Sequence, residues 1–125
     1  MTEKTYPAEE LKKRSKQFAI RVIRLFQALP RNEVARVLGR QVLRSSTAVA
    51  ANYRAVCRAR SRAEFVAKIG VVVEEADETI FWLELLVEAG IVPQRRMERL
   101  LAEATELLAI FAASQHTAKQ RASGS

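Results

Sequence analysis

With 125 residues and 49% apolar side chains, the chain reads as one domain with a single core, and its 4 glycines and 3 prolines leave room for little besides helix. Its one cysteine, Cys57, excludes an internal disulfide, no apolar run approaches the ~20 residues that span a bilayer, and the polar start Met1-Thr2-Glu3-Lys4 is unlike a signal peptide; a cytoplasmic setting is therefore expected. The formal net charge of +7 favours an acidic partner, nucleic acid first.

Residues 1–7, ending in Tyr6-Pro7, read as a loosely held lead-in, and a domain is expected over 8–113. The first helix begins near Ala8 with Glu9 and Glu10 in its first turn, where carboxylates suit the helix dipole. Its stripe is Leu11, Phe18, Val22, Leu25 and Leu29, and Ile20, Ile23 and Phe26 widen the apolar surface beyond one face. Two readings follow: the helix lies deep in a bundle, or its second face meets another subunit, with Ile23 and Phe26 as interface candidates. Leu29-Pro30 ends it, and Asn32 is placed to cap the next helix.

The second helix, within 32–60, has apolar or small residues at Val34, Leu38, Val42, Ser45, Val49, Asn52 and Val56. An asparagine on that stripe is expected to fix helix register. Arg36, Arg40 and Arg44 follow one another on a different face, and Arg54 and Arg58 continue the basic character. Ser61-Arg62-Ala63-Glu64 is a capping box and starts the third helix, striped by Phe65, Ile69, Val72, Ala76, Ile80, Leu83 and Val87. Gly90 is placed to end it in a left-handed cap, with Pro93 beyond as the first residue of the fourth helix. The fourth stripe is Met97, Leu100, Leu101, Ala104, Leu107, Leu108 and Phe111, after which 114–125 lose periodicity and read as a disordered tail.

Charge is segregated along the chain: residues 1–32 carry a net +5, 33–61 a net +5, 62–89 a net −5 and 90–125 a net +2. Short links between four amphipathic helices predict an all-α, antiparallel up-down-up-down bundle in which the basic second helix lies beside the acidic third. Counting outward from the turn near Arg60 sets Arg44 opposite Asp77 or Glu78 and Arg36 opposite Glu84 or Glu88, as interhelical ion pairs. Trp82, one position off its stripe, either covers the bundle edge or anchors a second subunit.

Candidates for catalysis are few. His116 is the only histidine and falls in the expected tail, so the paired Glu-x-x-His motifs of di-metal bundles are absent. Cys57 has Arg58 beside it but no histidine in the core to act as a base, which favours a structural thiol. No glycine-rich phosphate loop or Gly-x-Ser-x-Gly motif occurs, and the carboxylates Glu74, Glu75, Asp77 and Glu78 read as an arginine-paired face. No enzyme, metal or cofactor is expected. Threading the charges through the bundle gathers Lys12, Lys13, Arg14, Lys16, Arg54, Arg58, Arg60, Arg62, Lys68, Lys119 and Arg121 at one end against Glu9, Glu10 and Glu64. Of these, Lys12, Lys13, Arg14, Lys16, Arg54, Arg58, Arg60 and Arg62 are the expected phosphate-binding residues.

The stretch Gln41-Val42-Leu43-Arg44-Ser45-Ser46-Thr47-Ala48-Val49-Ala50-Ala51-Asn52-Tyr53, followed by Arg58-x-Arg60-Ser61, Phe65, Glu74-Glu75-x-Asp77-Glu78 and Trp82-Leu83, resembles the bacterial four helix bundle protein family. That family includes proteins encoded in intervening sequences of large-subunit ribosomal RNA genes and is similar to the accessory variability determinant of diversity-generating retroelements. The resemblance spans about residues 8–111 and implies a protomer that assembles into a homopentameric ring, without catalysis, with nucleic acid and a protein such as a reverse transcriptase as partners. Tyr53-Arg54-Ala55 departs from the Ile-Ala-Glu of many members and adds positive charge. Two functions compete: a nucleic-acid-binding accessory protein, and a protein-binding scaffold that presents the acidic face of its third helix.

Overall fold

The structure is a computed structural model describing residues 6–124, with side chains through Arg121. Its four helices are α1 (Ala8–Ala28), α2 (Glu33–Val56), α3 (Arg62–Glu88) and α4 (Gln94–Gly124), and the described residues contain no strand. The links are short, and each helix packs extensively on the next, whereas α1 and α4 meet over a smaller area.

Local chemistry sets the helix ends. Asn32 accepts a hydrogen bond from the Ala35 amide at 2.9 Å, and Ser61 Oγ accepts one from the Glu64 amide at 3.0 Å. Glu64 reaches back to the Arg60 amide at 3.4 Å, one residue before the capping serine. Gly90 adopts φ 76°, and the Gly90 and Ile91 amides donate to the Val87 and Leu86 carbonyls at 2.9 and 3.0 Å, closing α3 in a Schellman motif. Pro93 precedes α4 rather than opening it, its carbonyl accepting from the Arg96 amide at 3.0 Å.

The core is continuous through all four helices. It runs from Leu11, Phe18 and Val22 of α1, through Val42 and Val49 of α2 and Ile69, Val72 and Leu83 of α3, to Met97, Leu107 and Phe111 of α4. The buried face of α2 is Ala35, Gly39, Val42, Ser46, Val49, Tyr53 and Val56, with Ser45 beside it. This corrects the expected stripe: Val34 is 62% exposed, and Leu38 and Asn52 are only half-buried. Small residues take the seam because they allow close approach; a Cβ on Gly39 would lie 2.5 Å from Leu29 Cδ1 and 2.8 Å from Phe26 Cδ1. Asn52 bonds the Ala48 carbonyl of its own helix at 2.8 Å and reaches no neighbour that would fix register.

One further expectation changes. Helix α4 continues to Gly124 instead of stopping near Ala113, so the segment expected to be a disordered tail is helical as far as it is described. Between Gln94 and Gly124 no proline or glycine intervenes, and loss of an apolar stripe alone does not stop a helix made of good helix formers. Gln115 is half-buried, its amide 3.1 Å from where a Cβ on Gly70 would stand. At the other terminus, residues 1–5 of the expected lead-in lie outside the described residues, while Tyr6 is half-buried with the Arg14 guanidinium 5.5 Å from its ring centroid.

Candidate nucleic-acid interface

Where α2 runs into α3, the last turns of one helix and the first turns of the other enclose an open cleft of about 400 Å³. Ala51 and Ala55 form its floor, and Arg54, Arg58, Arg60, Glu64 and Lys68 supply its charge. Alanines at these positions keep the floor shallow; Arg54 lies in the last turn of α2 and Arg58 in the turn that follows it, and both line the cleft. Ser61 caps α3 only five residues after α2 ends at Val56, so Arg60 in the link is held between the two helices. The cleft therefore carries four cations against one carboxylate. Glu64 spans part of this charge, with Lys68 Nζ 3.6 Å away.

The expected phosphate-binding residues divide. The structure brings Arg54, Arg58 and Arg60 together, and Arg62 is exposed at the first residue of α3. Lys68, placed at the basic end but not in the expected binding set, lines the same cleft; its position two turns into the third helix was its only signal. Lys13 and Lys16 are exposed on α1. Lys12 pairs with Glu9 at 3.0 Å. Arg14 departs from expectation: it donates from Nε and Nη2 to the two carboxylate oxygens of Glu103 at 3.1 and 2.7 Å and lies 3.2 Å from Glu106. Its side chain is 19% exposed, and hydrogen bonding to Glu103 raises its pKa above the usual arginine value. A guanidinium fork engaged on a carboxylate at both teeth is committed to α1–α4 packing.

The expected interhelical pairs also divide. Arg44 bonds Glu78 and both carboxylate oxygens of Glu75, the latter at 3.3 Å. Glu78 also accepts from Trp82 Nε1 at 3.1 Å; this bond, together with the charge of Arg44, holds its carboxyl below the usual range against the opposing effect of burial. Asp77, one position away, points elsewhere and is exposed. Arg36 meets neither Glu84 nor Glu88; its guanidinium stacks 4.7 Å from the Phe26 ring centroid, so its partner is α1. The choice follows from rotation of α2 about its axis, since adjacent residues diverge by about 100°.

The remaining singled-out residues are ordinary in their surroundings. Cys57 is exposed. Burial, followed by the neighbouring Cys57 thiol, pushes the Tyr53 phenol well up, and the Tyr53 ring packs 5.1 Å from Phe111. Trp82 is half-buried with its ring edge-on to Phe81, and Ile23 is 38% exposed. Among the described residues no group of three or more His, Cys, Asp or Glu side chains converges as a metal site, and no helix is long and apolar enough to cross a membrane.

The family model described as 23S rRNA-intervening sequence protein matches residues 9–113. The chain belongs to this family. A similar solved structure is a protein of unknown function from the S23 ribosomal protein family of Bacteroides thetaiotaomicron, 31% identical, covering 87% of this chain and 97% of its own, with a TM-score of 0.81. No curated protein matches. Neither description names a catalytic activity, and the family match reaches into all four helices, ending within α4, and includes the whole α2–α3 cleft.

Proposed function

We propose that this chain is a non-enzymatic, homo-oligomeric accessory protein that binds RNA or DNA through phosphate contacts, in a cytoplasmic setting. The observation that carries the reading is the convergence of Arg54, Arg58, Arg60 and Lys68 on one cleft, with Arg62 exposed beside it. Membership of a family named for a ribosomal RNA intervening sequence favours RNA as the first ligand to test. Lys13 and Lys16 extend the surface if consecutive helices run antiparallel, an order supported by the Arg44–Glu75 and Ser45–Thr79 contacts between α2 and α3. The scarcity of aromatics around the cleft argues for backbone contacts and little base readout.

Assembly into a ring, a pentamer by the resemblance described above, would use the apolar residues that a single protomer leaves open. Ile20 and Ile23 on α1, Val34 and Val37 on α2, and Phe81 on α3 are each at least 38% exposed. Mass in solution tests this directly.

Binding of the full chain to single-stranded RNA and duplex DNA across a salt series tests the main reading. A log-log slope of about 0.7–0.9 per phosphate contacted is expected. Replacing Arg58, Arg60 and Arg62 together with glutamate should abolish binding while preserving helicity; unchanged binding would discard this surface.

A second reading has its own support. A groove between α3 and α4 presents Glu84, Glu98 and Glu106 around Leu101 and Ala102, which suits a basic protein partner such as a polymerase. Capture of such a partner that survives nuclease treatment, from a chain that binds no nucleic acid at low salt, would put the scaffold first.

A further inference from the structure

We propose that the α2–α3 cleft seats a terminal phosphate monoester of a single-stranded nucleic acid, and that Glu64 occupies this seat in the ligand's absence. The proposal rests on the nucleic-acid reading above and narrows it to a chain end.

The shape of the charge is the first argument. Arg54, Arg58, Arg60 and Lys68 surround a concavity instead of forming a line or ridge. An internal phosphodiester carries one negative charge and continues into the strand on both sides, which suits a line of cations. A terminal monoester concentrates about −1.5 to −2 charges and three acceptor oxygens at one point, which suits cations gathered around a hollow. Arginine forks are fitted to such a group, and among the described residues Arg54, Arg58 and Arg60 make no ion pair.

Glu64 is the second argument. Its carboxylate contacts the Arg60 amide at 3.4 Å and Lys68 Nζ at 3.6 Å, both long for a charged group. These are the donors an incoming phosphate would use. Releasing them leaves the helix end intact, because the shorter cap at 3.0 Å runs from the Glu64 amide to Ser61 Oγ and does not involve the carboxylate. Glu64 thus sets a fixed cost that a doubly charged end group offsets more readily than a singly charged diester.

The test compares one short RNA sequence carrying a 5′-phosphate, a 3′-phosphate or hydroxyls at both ends, by fluorescence anisotropy with an internal label and the full chain. One of the phosphorylated forms should bind about tenfold more tightly than the hydroxyl form. Arg58→Gln should erase that difference, and Glu64→Gln, which retains a capping-box side chain, should tighten the preferred form several-fold. Equal binding of all three RNAs, with steep salt dependence, would overturn the seat and leave the general surface standing. Absence of binding by any of them would overturn both. A preference that persists in Arg58→Gln would place the end group elsewhere, and no gain in Glu64→Gln would remove Glu64 from the site.

Discussion

Ser45 of α2 and Thr79 of α3 share a hydrogen bond of 2.8 Å between their hydroxyls, and both side chains are buried. Thr79 Oγ1 also lies 2.8 Å from the Glu75 carbonyl of its own helix, while Ser45 Oγ is 3.4 Å from the Val42 carbonyl. The pair satisfies two polar groups that would otherwise sit in a dry seam. Thr79→Val, close to isosteric, leaves Ser45 only its long bond to the Val42 carbonyl and should cost about 1–2 kcal/mol. Adding Ser45→Ala should cost less than the two single changes summed, as read in a double-mutant cycle by urea unfolding; strict additivity would mean the hydroxyls are not coupled.

Two glycines within helices should respond in opposite directions to alanine. At Gly39 a new Cβ meets Leu29 and Phe26 at under 3 Å, so the clash outweighs the helix-propensity gain and Gly39→Ala should destabilise by about 1–2 kcal/mol. At Gly70 the nearest atom is the end of the Gln115 side chain at 3.1 Å, which can shift, so Gly70→Ala should stabilise by about 0.5–1 kcal/mol. Chemical denaturation of the two variants checks both signs.

Arg14 should matter for stability and not for nucleic-acid binding. Its pairing with Glu103 is mostly shielded from solvent, so Arg14→Met should lose about 1–2 kcal/mol, between the values of exposed and buried pairs. Affinity for RNA should change by less than about twofold, whereas Arg58→Gln should weaken it several-fold. A large affinity loss in Arg14→Met with normal stability would return Arg14 to the binding surface.

Glu78 gives stability a pH dependence. Its carboxyl is held below the usual value in the folded chain, so the unfolded chain binds its proton more tightly. The contribution is complete above the ordinary value of 4.5 and is lost as pH falls below it toward the folded value. Thermal unfolding should show Glu78→Gln less stable than the parent near pH 7, with the gap closing as pH falls below 4.5 and through the lowered folded value. Glu78 is substantially exposed, so the gap is expected to be at most about 1 kcal/mol. A gap that widens in acid would assign the stabilisation to another group.

Both grades of legibility occur in this chain. The caps at Asn32, Ser61 and Gly90 were readable because each depends on residues within a few positions of one another. The basic cleft was largely readable for the same reason, since Arg54, Arg58, Arg60 and Glu64 surround one short link. Partners across helices were legible only in part, the Arg44–Glu78 pair being one that counting from the turn had placed. Arg44 reached the acidic helix beside it, but Arg36 turned to Phe26 and Arg14 to Glu103, because rotating a helix by one residue redirects every side chain by about 100°.

Apolar periodicity, helix-stop residues and local caps thus determined four helices, their order and most of their boundaries from the sequence alone. Tertiary structure decided which face of each helix is buried. On α2 it chose the small residues Ala35, Gly39 and Ser46 over the more apolar Val34 and Leu38, since close packing rewards fit between facing surfaces as well as hydrophobicity. It also decided which cations remain available: an arginine's freedom depends on whether folding brings a carboxylate or ring within reach, and those groups lie far away along the chain.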